Sequence, residues 1–302
     1  MSKTAIWLEA ARLRTLPLSV SGIIIGNGLA FLAGNFSWLI FLFCLLTTIA
    51  FQVLSNFAND YGDGVKGTDN DARLGPQRVL QQGLLSRAQL KRGIQVNVVI
   101  SLVLALTLIV LAFDQNQWML ALLFLLLGIA SVVAAIKYTV GKNAYGYRAM
   151  GDLFVFLFFG CLSVMGSHYL QTKSFETSLI LPSVAVGCLS VAVLNLNNLR
   201  DMENDKVSNK ITLPLLLGFN GGKRYHYLLF FIALTSSLSY TFYHSTTPFT
   251  YLYLVLVFPL GKHLYRVKKS KGGKSLDSEL KVVALSTFFF SLLFVIGFLI
   301  SS

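Results

Sequence analysis

The sequence predicts an all-α integral membrane protein of about nine transmembrane helices, a single polytopic domain over residues 1–302 with a cytoplasmic N-terminus and an outside C-terminus. Three observations predict it. Of the 302 residues, 55% are hydrophobic and only 13% charged, about half the charged fraction of an ordinary soluble domain. Long uncharged apolar runs recur along the chain, and about 20 such residues cross a hydrocarbon core. The basic residues gather in alternate connections, which is the cytoplasmic signature of a multi-pass chain.

The elements follow in order. The first 16 residues carry Lys3, Arg12 and Arg14 before an apolar run, with Glu9 between them. A second span follows at once, so this is read as a retained amphipathic leading helix rather than a cleaved signal peptide. Spans are expected at 17–34 and 37–58, then at 93–113 and 115–136, 153–172 and 177–197, 225–243 and 248–261, and finally 282–300. The run 248–261 is the shortest. Rich Phe, Leu, Ile and Val content predicts helices, because a membrane barrel shows short alternating segments. A helix also satisfies its own backbone groups within lipid. Connections 59–92 and 198–224 are long and cytoplasmic, whereas 34–37 and 244–248 are a few residues on the other face. With this topology every Lys and Arg except Lys173 lies inside. Miscounting any of the first eight helices would destroy that asymmetry. The net charge of +12 is therefore chiefly a topology signal and not a nucleic-acid footprint. The basic 262–281 loop is expected to touch anionic lipid head groups.

Two stretches hold most of the polar information. The first runs Asn56-Phe57-Ala58-Asn59-Asp60-Tyr61-Gly62-Asp63, continuing through Lys66, Gly67 and Asp69 to Arg73 and Arg78. Helical continuation places Asn59 and Asp63 on one face, with Asn56 a turn earlier. The second is Asn197-Asn198-Leu199-Arg200-Asp201-Met202-Glu203-Asn204-Asp205, followed by Lys210 and Thr212. Asn197, Asp201 and Asp205 form the same kind of stripe. Seven of the chain's 13 acids, Asp60, Asp63, Asp69, Asp71, Asp201, Glu203 and Asp205, sit in these two loops. Like charges stacked on a helix face repel unless neutralised. Carboxylates and amide oxygens suit Mg²⁺, which completes its shell with water and substrate phosphate. Arg73, Arg78, Arg200 and Lys210 nearby would hold a polyanionic phosphate.

Other chemistries lack support. Gly273-Lys274-Ser275 and Gly222-Lys223 are not P-loops. The Asp60–Asp71 run lacks the closing glutamate of an EF-hand. Cys44, Cys161 and Cys188 lie within spans without metal-ligand spacing, and His168, His226, His244 and His263 are scattered. A coupled transporter would need ionisable groups near the bilayer midplane, where the spans carry only Asn27, Gln52, Asn97 and Asn195.

At these residues the chain resembles the UbiA superfamily of intramembrane aromatic prenyltransferases, in its naphthoate-accepting branch. Asn59-Asp60-Tyr61-x-Asp63 with Gly67, Asp69 and Arg73-Leu74-Gly75-Pro76 is similar to the family's first aspartate motif. Asn197-Asn198-Leu199-Arg200-Asp201-x-x-x-Asp205 with Lys210-x-Thr212-Leu213 and Gly218 resembles the second. Tyr138-Thr139, Tyr145-Gly146-Tyr147 and Gly151-Asp152 resemble the central loop, and Arg14-Thr15-Leu16-Pro17 the leading helix. Leu13, Ala144 and Leu216 depart from the pattern. The resemblance implies a UbiA-like helical bundle in a bacterial cytoplasmic membrane. The implied reaction moves a polyprenyl group from polyprenyl diphosphate to 1,4-dihydroxy-2-naphthoate with loss of CO₂, giving demethylmenaquinone. A superfamily member acting on 4-hydroxybenzoate is the alternative, and a transporter a more distant one. The resemblance further implies Mg²⁺ held by Asn59, Asp63, Asp69, Asn197, Asp201 and Asp205. Arg73, Arg78, Lys142, Arg200 and Lys210 would bind diphosphate. Asp60, Asp63, Asp201, Asp205 and Tyr138 are the candidate catalytic residues, Tyr138 as an aromatic neighbour for an allylic cation.

Overall fold

The computed structural model describes residues 2–70, 73–245 and 247–302. Asp71, one of the acids of the first cluster, lies outside the described residues. In chain order the α-helices are α1 (Lys3–Ala11), α2 (Leu16–Leu32), α3 (Trp38–Lys66), α4 (Arg87–Ala112), α5 (Trp118–Lys137), α6 (Gly151–Val155), α7 (Ser167–Thr172), α8 (Ile180–Arg200), α9 (Met202–Val207), α10 (Leu213–His244), α11 (Val257–Lys269) and α12 (Asp277–Ser301). Among the described residues β pairing is confined to one bridge, between Arg148 and Ile211.

Seven helical stretches among the described residues are long and apolar enough to cross a membrane: Lys3–Leu32, Trp38–Lys66, Arg87–Ala112, Gln115–Lys137, Gly151–Thr172, Thr177–Arg200 and Gly273–Ser301. They coincide with the first six expected spans and the last. The run 225–243 lies in α10, where Thr235, Ser236, Ser237, Ser239, Tyr240 and Thr241 dilute the hydropathy. The run 248–261 lies in a tract that changes from 3₁₀-helix, Pro248–Leu256, to α11.

The chain forms two compact units. The first comprises the chain up to Leu16 with Leu42–Gly151 and Asp201–Thr212. Its core joins Ala10 and Ala11 of α1, Phe57 of α3, Val79, Leu85 and Leu90 of α4, with Trp7 packed against them. Trp7 and Phe57 meet edge to face at 5.4 Å, and each fully buried Leu or Phe contributes about 1.5–3 kcal/mol. The loop before α4 ends in a capping box: Gln89 N donates to Ser86 Oγ at 3.2 Å, and Ser86 N to Gln89 Oε1 at 2.8 Å. That pairing satisfies two of the helix's otherwise orphaned N–H groups.

The second unit comprises Pro17–Phe41, Asp152–Arg200 and Leu213–Ser302. α8 is its buried axis, with Ala185, Val186, Val191, Ala192, Leu196 and Leu199 shielded among α10, α12 and the 156–166 segment. That segment, Phe156–Gly166, is π-helical. The Ser163 hydroxyl donates to Phe159 O, and the Ser167 hydroxyl to Ser163 O at 2.5 Å. These back-bonds supply carbonyls whose ladder the wider helix disrupts.

Two of the scattered histidines prove connected in this unit. His226 Nε2 and His263 Nε2 lie 2.8 Å apart, and His263 Nδ1 lies 2.8 Å from Glu279 Oε2. Arg266 Nη1 donates to Glu279 Oε1 at 3.2 Å. Asn195 Nδ2 donates to Gly222 O at 3.1 Å and lies 3.4 Å from His226 Nδ1. With His226 protonated on Nε2 and His263 on Nδ1, both neutral rings fit the chain, so no charge beyond Glu279 and Arg266 is needed.

Candidate active site

α3 continues past its apolar run, so Asn59, Asp60 and Asp63 lie on its last turns. Gly67 then takes the left-handed conformation, φ 75°, and Thr68 N donates back to Asp63 O at 3.0 Å. Glycine adopts this helix ending without steric cost. Asp63 and Asp60, three residues apart, meet different partners. The Tyr147 hydroxyl donates to Asp63 Oδ1 at 2.7 Å. Tyr147 has one proton, so the 2.6 Å contact with Thr68 is a Thr68 hydroxyl donating to the Tyr147 oxygen. Burial, followed by the Asp63 charge, pushes the Tyr147 phenol up, which keeps it a donor.

Asp60 instead sits in a belt of guanidinium groups. It pairs with Arg12 and lies 3.6 Å from Arg78 Nε, while Asp69 lies 2.9 Å from Arg73 Nε and 3.8 Å from Arg78 Nε. Arg78 thus spans both carboxylates. Arg12 is set by the turn after α1, where its φ is 51° and Asn56 Nδ2 donates to Ala11 O at 2.8 Å. Three guanidiniums face two acids here, leaving an excess of positive charge beside Asp63. Burial raises the Asp69 carboxyl above its ordinary range, against the pull of Arg78 and Arg73.

The second motif closes on the first within the same unit. Asp201 precedes α9, and Asp205 lies within it, where Asp205 N donates to Asp201 O at 2.8 Å. Asn204 Nδ2 donates to Thr68 O at 2.8 Å, tying the two motifs together. Ala149 N donates to Ile211 O at 2.9 Å and Ile211 N to Tyr147 O at 3.3 Å, adding a backbone tie. Lys210 Nζ lies 3.4 Å from Asp205 Oδ1. Burial alone would lower this ammonium, yet Asp205, Asp63, Tyr138 and Asp201 together hold it above its ordinary value. Asp205 is pushed up to about 6, by burial first and then by Asp201 and Asp63, against the opposing effect of Lys210.

Aromatic side chains complete the site. Lys66 Nζ lies 3.7 Å and Lys210 Nζ 5.9 Å from the Tyr147 ring centroid. Tyr138 packs edge to face on Tyr145 at 5.3 Å, and Tyr145 Oη donates to Ala134 O at 2.9 Å. Thr139 Oγ1 donates to Ala58 O at 2.9 Å, a close approach that needs Gly62, since a Cβ there would lie 2.7 Å from the Thr139 carbonyl carbon. Lys142 is exposed on the following turn. Tyr147, Arg12 and Asn204 are contributors that sequence reasoning did not place among the site residues; for Tyr147 only the Tyr-Gly-Tyr spacing hinted at it. In the second unit, Arg200 donates to Asp277 Oδ1 at 2.5 Å and to Asn197 Oδ1 at 2.8 Å.

The donor set fits a hard divalent cation in chemistry. Asp69 Oδ2, Asp205 Oδ2 and Asn204 Oδ1 are buried without a hydrogen-bond donor, a costly state that a cation relieves. Among the described residues no three His, Cys, Asp or Glu side chains already converge as a metal cage. Instead the acids of both motifs act on the Lys210 ammonium.

The UbiA prenyltransferase family matches residues 19–293 of this sequence. The chain belongs to that family. Among UbiA family members it is 41% identical over 300 residues to the 1,4-dihydroxy-2-naphthoate octaprenyltransferase of Haemophilus influenzae, covering 99% of this chain and 97% of that one. It is 39% identical over 301 residues to the Escherichia coli protein of the same name, covering 100% and 97%. Two solved UbiA homologs share the fold. The one from Aeropyrum pernix has a TM-score of 0.70 at 13% identity, covering 96% of this chain and 98% of that one. The one from Archaeoglobus fulgidus, bound to DMAPP and Mg²⁺, has a TM-score of 0.68 at 14% identity over the same shares. This UbiA chain is thus an all-helical, multi-pass membrane protein in which residues 59–69 of the first motif and 201–210 of the second meet in one unit.

Proposed function

We propose that the protein transfers a polyprenyl group from polyprenyl diphosphate to 1,4-dihydroxy-2-naphthoate in a bacterial cytoplasmic membrane. The observation that carries this is the closure of both aspartate motifs on Lys210 and Tyr147, in a chain 41% identical to a 1,4-dihydroxy-2-naphthoate octaprenyltransferase.

In the reaction the allylic C–O bond of the donor breaks and diphosphate leaves. The acceptor ring carbon that bears the carboxylate forms the new C–C bond. Loss of CO₂ returns the bonding pair to the ring, so the first product is the prenylated hydroquinone, from which demethylmenaquinone forms by oxidation. Mg²⁺ held by Asn59, Asp63, Asp69, Asp201 and Asp205 would neutralise charge on the departing diphosphate. Arg73, Arg78 and Lys210 supply fixed positive charge to the same group. Tyr147 holds Asp63 in place, and Asn204 holds the second motif against the first. Tyr138 offers a ring face to developing allylic charge. The proposal includes a single polytopic domain of nine spans with the N-terminus inside.

The test pairs two acceptors. Purified protein with Mg²⁺ and polyprenyl diphosphate should prenylate 1,4-dihydroxy-2-naphthoate, and Asp63→Ala or Asp201→Ala should nearly abolish turnover. Full activity in EDTA would remove the metal from the mechanism. Turnover of 4-hydroxybenzoate, with none of the naphthoate, would overturn the acceptor assignment.

A further inference from the structure

Beyond the reaction site, the second unit carries a basic cleft of ≈ 430 Å³ between the end of α11 and the start of α12. Tyr265, Arg266, Lys269, Ser270, Ser275, Ser278 and Glu279 line it. Its shape is set by the chain itself. Lys223 Nζ donates to Lys268 O at 3.0 Å and to Ser270 O at 2.6 Å, closing the C-terminus of α11. Gly272 N donates to Ser270 Oγ at 2.9 Å, and Ser270 and Ser275 hydroxyls lie 2.7 Å apart.

The charge balance of this segment is one-sided. Its two acids are both committed, Asp277 to Arg200 and Glu279 to His263 and Arg266. Glu279 therefore does not make the cleft anionic. Lys262, Lys268, Lys269, Lys271, Lys274 and Lys281 form no ion pair among the described residues and are all exposed. α11 also has an apolar approach to the cleft: Phe258 is 77% and Tyr265 57% exposed. Phe258, Lys262, Tyr265 and Lys269 recur at helical spacing on one face, and Lys269 Nζ sits 4.5 Å from the Tyr265 ring centroid. A soluble anion would use the charges but not the apolar stripe.

We infer that this cleft binds the phosphate of an anionic phospholipid of the phosphatidylglycerol class, with an acyl chain along Phe258 and Tyr265. Lys269 faces the phosphate and the Ser278 hydroxyl donates to one of its oxygens, while Ser275, whose hydroxyl donates to Gly272 O at 2.9 Å, shapes the loop. Lys262 lies along the chain's path, its stem on apolar surface and its head at the interface.

The test uses the full chain purified in detergent and titrated with phosphatidylglycerol or phosphatidylcholine, with bound lipid counted by native mass spectrometry. Each lysine near the phosphate contributes about fivefold, so Lys269→Gln should weaken phosphatidylglycerol binding by about that factor. Ser278→Ala should weaken it further. Lys91→Gln with Arg92→Gln, exposed in the first unit, should leave it unchanged. Equal retention of phosphatidylcholine would overturn the inference. So would equal weakening by the Lys91 and Arg92 changes, or displacement of the lipid by inorganic phosphate or by a prenyl diphosphate. None of these readouts depends on turnover.

Discussion

Tyr147→Phe removes one oxygen and leaves the ring beneath Lys66 and Lys210. The lost hydroxyl donates to Asp63 at 2.7 Å and accepts from Thr68 at 2.6 Å. A hydrogen bond to a charged group contributes about 1.5–3 kcal/mol. If Asp63 is a metal ligand, the same energy sets its orientation, and removing such a supporting partner costs roughly 10–100-fold in metal affinity or activity. The expected outcome is a Mg²⁺ half-saturation concentration raised by about that factor, with the apparent KM for naphthoate little changed. Initial rates over a Mg²⁺ titration measure it directly. Thr68→Val, which leaves the Tyr147 to Asp63 bond in place, should have a smaller effect. Wild-type Mg²⁺ dependence in Tyr147→Phe would refute the reasoning, because Tyr147 would then be packing and not positioning.

Four further outcomes are expected. Asp205, raised to about 6, is neutral below that pH, so Mg²⁺ must displace a proton and the Mg²⁺ requirement should rise between pH 7.5 and 5.5; Asp205→Asn should flatten this dependence. In the metal-free protein the sign reverses: neutral Asp205 favours the fold below the ordinary carboxylate range, and that contribution fades as pH climbs through about 6, which thermal unfolding in EDTA would register. Asp60→Ala leaves Arg12 and Arg78 buried without their shared carboxylate, so stability should fall by about 3–5 kcal/mol. Gly62→Ala pushes a Cβ into the Thr139 backbone and should lose about 1–3 kcal/mol together with activity, whereas an unchanged melting temperature would show that the 138–147 loop yields.

The helical membrane architecture was legible because composition and loop charge are global properties, insensitive to any single packing detail. The Asn59 and Asp63 stripe was legible for a related reason, since helix spacing is local. What escaped was tertiary. Arg12 lies in the turn after α1 and Asp60 on α3, and the left-handed turn at Arg12 brings the guanidinium to the carboxylate. His226 and His263 looked scattered because their link runs between α10 and α11. Tyr147 was visible as half of a repeated spacing, but its phenol finds Asp63 only after the 138–147 turn packs on Gly62. Hydropathy counting also weakened where Ser, Thr and Tyr interrupt α10, since residues that bond their own helix backbone still count as polar.

The Arg12 and Asp60 pair orders events during biosynthesis. Arg12 leaves the ribosome well before Asp60, and Arg78 later still, so the first guanidinium spends that interval without its carboxylate. A lone guanidinium stays in water rather than entering lipid. The leading helix therefore keeps Arg12 in water while α2 and α3 are made, and pairs it only when the end of α3 emerges with Asp60.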